Sequence, residues 1–222
     1  IPYDGFPKGR TIDPHLSDIE YLKRKIPEID YIAPQNSKGN FGSAGVLMTR
    51  GGKSITYSLN GDYPIGNKIS EKKLIYGRYL NDSDVSENKN VVVIGEQIYK
   101  TLFEAGENPI GKSINIKGVF FNVIGVFRMK RRVGIESDQT AIIPLSTFTQ
   151  LFNEGDRVGV LSIVSKPNAD VSIVEEKVKS ELKTKYRVSP EDTNAFGAFN
   201  LGKEFKKLTG FLNGMQLLTI IV

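Results

Sequence analysis

The order of periodicities in this sequence predicts an α+β fold: a split ferredoxin-like sandwich interrupted by a small inserted α/β subdomain. Three observations carry it. A helix followed by extended, alternating segments occupies the first sixty residues or so. The same kind of unit returns after about residue 158, and the stretch between has an order of its own.

Asp13-Pro14 reads as a helix start, with Asp as N-cap and Pro at the first helical position. Leu16, Ile19, Leu22 and Ile26 follow at helical spacing and Pro27 ends the run. Strands are expected at Ile29 to Pro34, Gly45 to Thr49 and Ser54 to Leu59, the last two joined by the hairpin turn Arg50-Gly51-Gly52-Lys53. In the middle, Val91 to Gly95 reads as a buried strand, Glu96 to Phe103 as a helix, and Lys112 to Ile116 and Val119 to Phe127 as a hairpin around Lys117-Gly118. A short strand, Ala141 to Pro144, and a short helix, Leu145 to Phe152, complete it. Downstream, Val158 to Val164 reads as a strand and Pro167 to Asp170 as turn and cap. Val171, Val174, Val178 and Leu182 then mark a helix, and Asn194 to Phe199 a last strand. The expected organisation is a first half of the sandwich over 1–62, the insertion over 63–157, the second half over 158–200, and a helical stalk leading into a membrane segment over 201–222.

Composition narrows the function. The chain has 222 residues, 39% of them hydrophobic, enough for a sizeable core. Its net charge of +5 comes from 30 basic and 25 acidic residues scattered along the chain, with no dense basic stripe, so no nucleic-acid partner is expected. With no cysteine and one histidine, His15, there is no material for disulfides, Cys/His zinc sites, cysteine nucleophiles or histidine triads. No cofactor is expected.

Local motifs point the same way. Gly95 stands alone where a dinucleotide fingerprint asks for three glycines, and reads as a strand-to-helix turn. Asn108 to Ser113 ends in Gly-Lys-Ser like a phosphate-binding loop, but Ile114 to Ile116 alternates as a strand where a helix should begin. Asp82 and Asp84 lack the register of an EF-hand loop and read as capping or turn residues. His15 reads as a structural residue near a helix start. No nucleophile, base and oxyanion hole assemble, so the chain is expected not to be an enzyme.

Two segments invite an interaction reading. Leu201, Phe205, Leu208, Leu212 and Met215 step by four, three, four and three residues, the seam of a coiled-coil stalk that wants a partner helix, although Gly202, Gly210 and Gly214 lower helix propensity. The seam runs into the apolar end Leu217 to Val222, read either as a helix packed on the core or, preferably, as entry into a membrane. The polar run from Arg128 to Thr140 reads as an exposed loop. Its basic residues Lys130, Arg131 and Arg132 are either simply solvated or a contact for a partner.

Gly77 to Asp84, Val91 to Gly95, Leu102-Phe103, Pro109 to Ile114 and Val123 to Val126, in that order and spacing, closely resemble the periplasmic core domain of MacB-like ABC transporter permeases. The resemblance implies a Porter-like subdomain formed from the two ends and a Sabre-like subdomain formed by the insertion. It implies an inner-membrane protein with this domain on the periplasmic side, anchored by flanking helices. Further implications are coupling of cytoplasmic ATP hydrolysis to export by mechanotransmission, and partnership with an ABC ATPase domain or subunit and a second permease copy. A periplasmic adaptor and outer-membrane channel complete the implied assembly. A lipoprotein-releasing permease of the LolC/LolE type and a sensory permease domain are the alternatives.

Overall fold

The computed structural model describes residues 12–40, 43–129, 137–192, 195–200 and 217–221, with backbone alone for 198–200 and 217–221. They form two compact units, one from residues 1–34 with 156–222 and one from residues 35–155. The inserted unit therefore begins at Gln35 rather than at residue 63. The reason is pairing: strand β2 (Val46–Arg50) binds β6 (Ser113–Ile116), and β3 (Lys53–Asp62) binds β8 (Thr140–Pro144), so the first hairpin belongs with the middle of the chain.

In the first unit, helix α1 (Ser17–Lys25) and helix α6 (Val171–Lys185) pack with strand β1 (Ile29–Lys38) and strand β9 (Val160–Ser165). Leu22, Ile26, Val174, Val178 and Leu182, placed by their helical spacing on one stripe of each helix, are essentially inaccessible to water. Asp170 caps α6 by accepting the Ser172 N–H at 2.7 Å. Asp13, by contrast, is not the cap of α1. The helix starts three residues beyond the expected place, at Ser17, because Pro14 O accepts from Val158 N and Leu16 N donates to Asp156 O, which holds residues 14–16 against the chain at 156–158. Strand β10 (Gly197–Asn200) and strand β11 (Leu217–Ile221) extend the sheet in the order β10-β11-β9-β1. Here the structure corrects the membrane reading of the C-terminal run. Leu217–Ile221 is a strand, antiparallel to both β9 and β10, where a membrane-bound helix was expected. Thr and Ile residues favour extended backbone, and two neighbouring edges satisfy its peptide groups. Among the described residues no helix is long and apolar enough to cross a membrane.

The second unit is a closed ring of strands. Its order is β3-β2-β6-β7-β5-β8, with β7 spanning Val119–Met129 and β5 spanning Val91–Gly95, and β8 returns to pair in parallel with β3. Met48, Leu59, Ile94, Ile114 and Phe121 fill its interior. Ile98 and Leu102 of helix α4 (Glu96–Leu102) and Phe148 of helix α5 (Leu145–Phe152) join the same cluster. A smaller cluster on the opposite side of β5, β7 and β8 (Val93, Phe127, Ile142) is covered by Tyr79 and Leu80.

That cover comes from the Gly77-to-Asp84 run. After the one-turn helix α2 (Gly66–Ile69), strand β4 (Lys72–Gly77) pairs with β7, and the chain turns at Gly77 (φ +65°), where a Cβ would lie 2.0 Å from Ile124 O. Helix α3 (Asp82–Ser86) follows, closed by a capping box between Asn81 and Asp84. Arg78 binds the fully buried Asp84 through both guanidinium nitrogens, at 2.5 and 3.0 Å. Burial raises the Asp84 pKa, but the Arg78 and Asn81 hydrogen bonds outweigh it and the carboxyl sits below its usual range. Gly95 is the other close approach: a Cβ there would stand 2.2 Å from Asp138 O, the carbonyl that accepts the Gln97 N–H. Gly95→Ala should therefore lower unfolding stability by about 1–3 kcal/mol, the typical cost of overpacking, read as a lower urea midpoint at unchanged m-value.

Candidate functional site

Both interaction candidates read from the sequence, the seam Leu201, Phe205, Leu208, Leu212 and Met215 and the basic residues Lys130, Arg131 and Arg132, lie outside the described residues. The two ends of the basic segment are described, however, and both are tied down. Before it, Arg128 binds both carboxylate oxygens of Glu96 through Nε at 2.6 Å and an Nη at 2.5 Å, while Lys100 approaches the same carboxylate at 3.1 Å. The Arg128 hydrogen bonds hold the Glu96 carboxyl down at about 2. After it, Asp138 Oδ1 accepts the Met129 N–H at 2.8 Å, closing the root. Glu96 is the first residue of α4, where the helix dipole also favours a carboxylate.

In the first unit a series of polar contacts joins the beginning of the chain to its end. Asp18 on α1 is fully buried, accepts from Tyr186 Oη at 2.5 Å and pairs with Lys185, both at the C-terminal end of α6. It also accepts the His15 N–H at 2.8 Å. One turn on, Tyr21 donates to Glu181 at 2.7 Å, and Lys177 pairs with Glu28. Burial, and then the Asp18 carboxylate, push the Tyr186 phenol well above its ordinary range, and the Lys177 hydrogen bond pulls Glu28 down. His15 Nδ1 lies 2.8 Å from Asp156, lowering that carboxyl, and Arg157 binds Asp13 at 2.9 Å. The sequence shows charged residues on both helices but no signal for this lock, because its partners stand some 140 to 170 residues apart.

The motifs weighed for chemistry take structural places. Gly106 to Ser113 satisfies the Gly-x-x-x-x-Gly-Lys-Ser spacing in full, but a strand follows it, as the alternation of Ile114 to Ile116 predicts. Ser113 opens strand β6 with its hydroxyl on Asn122, so no helix N-terminus stands behind the glycines. Asp82 and Asp84 lie in the first turn of α3. Among the described residues no group of three or more His, Asp or Glu is placed to hold a metal.

Residues 2–181 match the model of the MacB-like periplasmic core domain. The chain belongs to that family. Relatives of this MacB-like domain include the macrolide export ATP-binding/permease protein MacB of Aggregatibacter actinomycetemcomitans, 31% identical over 173 residues, covering 76% of this chain and 25% of that protein. The pyoverdine export ATP-binding/permease protein PvdT of Pseudomonas savastanoi is 28% identical over 161 residues, covering 71% of this chain and 24% of that one. The chain thus spans about a quarter of the length of these curated relatives. The crystal structure of the periplasmic region of MacB from Actinobacillus actinomycetemcomitans superposes with a TM-score of 0.67 at 27% identity, covering 82% of this chain and 78% of that one. The extracellular domain of the noncanonic ABC-type transporter YknZ from Gram-positive bacteria shares the fold, with a TM-score of 0.68 at 16% identity over 85% of this chain and 92% of that one. The chain is therefore a MacB-like periplasmic core domain, with the α+β fold of the MacB periplasmic region.

Two outcomes follow from these contacts. Asp18→Asn leaves Lys185 facing a neutral group and should cost about 2 kcal/mol. A double-mutant cycle with Lys185→Met should recover a coupling of about 1 kcal/mol or more in urea unfolding. Glu96 has a folded pKa of about 2 against 4.5 for the free group, so its contribution is present above pH 4.5 and is lost as the pH falls from there toward 2. The stability gap between wild type and Glu96→Gln should accordingly be largest near neutral pH and close in acid.

Proposed function

We propose that the domain is a force-transmitting element of an export permease in the cytoplasmic membrane, working as one of two copies with an ABC ATPase and an extracytoplasmic adaptor. The observation that carries this reading is the lock between α1 and α6. The two stretches that bracket the inserted unit fold into the same unit, and Asp18, Tyr21 and Glu28 tie the first helix to Lys185, Tyr186, Glu181 and Lys177 on the last. Displacement of either stretch is then passed to the other through charged hydrogen bonds as well as through the shared apolar core, in place of being absorbed by slippage between helices.

In this reading the domain performs no bond chemistry of its own. ATP hydrolysis belongs to the transporter's nucleotide-binding part, in keeping with the ATP-binding/permease names of the relatives. The clamped root at Arg128, Glu96 and Asp138 supports a contact role for the intervening basic residues Lys130, Arg131 and Arg132, since a segment held at both ends loses less entropy on binding. The seam from Leu201 to Met215 serves to pair the two copies.

The test is coupling efficiency in the complete transporter. Asp18→Ala with Lys185→Ala, reconstituted in proteoliposomes, should retain ATP hydrolysis within about twofold while export per ATP falls severalfold. Equal losses in hydrolysis and export, or no loss in either, would count against force transmission through the lock. Adaptor contact is checked separately by co-purification of wild type and of Arg131→Glu with a co-expressed membrane-fusion adaptor. The charge reversal should reduce recovery.

A further inference from the structure

In the second unit the outer faces of β2, β3, β6 and the first half of β7 form one surface that no other described element covers. Strand alternation turns Met48, Ile114, Ile116 and Phe121 into the ring and leaves their neighbours outside. The antiparallel registers align those neighbours in rows: Ser54, Thr49, Asn115 and Phe120 across the four strands, then Ser113 beside Asn122, and Thr56 beside Leu47. None of the eight is charged, on a chain in which 25% of residues are. The nearby charges go elsewhere. Arg50 and Lys53 pair with Glu107 and Glu104, Arg50 stacking 4.1 Å above the Phe103 ring, and Lys117 stands over Phe152.

Two features make the face a built site. Phe120, the second residue of β7, is 69% exposed although the sheet pairs its backbone with Asn115, so that a large apolar ring is presented to solvent. The carboxamides on either side of it are pre-oriented. The oxygen of Asn115, directly opposite Phe120, accepts the Gly118 N–H at 2.9 Å. The oxygen of Asn122, two residues on, accepts the Ser113 hydroxyl at 3.0 Å. With each oxygen engaged, the NH₂ groups are the parts left to offer, as donors. Asn122 also borders a shallow cavity of about 400 Å³ lined by Gly77, Ile110, Gly111 and Ile124. The one charged residue there, Arg78, is already bound to Asp84.

We infer that this face binds a neutral glycan bearing acetamido groups, a β-linked N-acetylhexosamine chain, with one sugar ring stacked on Phe120 and its carbonyl and ring oxygens accepting from Asn115 and Asn122. An apolar ring flanked by uncharged donors matches the alternation of C–H faces and oxygen acceptors on such a sugar. A charged polymer would find no counter-charge here, and a peptide strand would need a free sheet edge where this surface presents a face. The site does not depend on the force-transmission reading.

The experiment is an amide NMR titration of this chain with chitotetraose, with cellotetraose and a neutral tetrapeptide in parallel. Saturable shifts centred on Phe120, Asn115 and Asn122 are expected with chitotetraose, several-fold weaker with cellotetraose. Phe120→Ala, at an exposed position, and Asn122→Asp, which keeps the acceptor for Ser113 and loses the donor, should each weaken binding about tenfold while the remaining spectrum is preserved. Absence of shifts with both sugars, binding unchanged in both variants, or shifts that arise only with the peptide or from self-association of the chain would overturn the assignment.

Discussion

Closure of the second unit rests on one strand. The residues of β3 that pair with β1 and those that pair with β8 overlap, at 59–61 and 58–62, so the two neighbours must lie on opposite edges. Its N-terminal half meanwhile holds β2. Every strand of the ring but β7 is registered by β3 directly or at one remove, and β7 is held between two of those, β5 and β6. Closing a sheet removes its open edges and forces alternate residues inward, which is why so short a unit has an interior of fully buried Ile, Val and Phe side chains. The helices α4 and α5 follow their strands without a linker because each continues from the end of β5 or β8 into that same interior.

The ring also explains the ordered motifs of the middle of the chain. Gly77, Arg78, Tyr79, Asn81 and Asp84 form a cover over the side of β5, β7 and β8 that the interior does not use. Arg78 and Asp84 hold it, and Tyr79 reaches Asp62 at 2.7 Å. Residue types that could pass for chemistry in a linear reading, the Asp82 and Asp84 pair and Gly95, are spent on the first turn of α3 and on close backbone approach. Where the ring has no such cover, it presents the uncharged face around Phe120. The first unit is organised differently: an apolar stripe on each helix makes the core, and a line of carboxylates, lysines and tyrosines fixes how α1 and α6 lie against each other.

Local signals carried most of the elements. The hairpin at Arg50 to Lys53, the strand-to-helix passages at Gly95 and Pro144, and the capped helix from Val171 all stand where periodicity and turn chemistry place them. The expectations that moved did so because of distant partners. Asp13 lost its capping role to a pairing with residues 156–158, and the Leu217 run became a strand because β9 and β10 offered it edges. Strand β4 has no such local signal: it carries two adjacent exposed apolar residues, Leu74 and Ile75, around a bulge, which breaks the alternation that marks a strand.

By itself, then, the sequence determined the α+β class, the split arrangement, the lack of any cysteine, and the family, since these depend on composition and on patterns within a few dozen residues. The tertiary structure alone decided where the inserted unit begins, that its strands close into a ring, that Asp18 meets Lys185 and Tyr186, and that eight scattered neutral residues share one open face. Each of those is a matter of which distant edges and carboxylates come within hydrogen-bond reach, and no local periodicity encodes that distance.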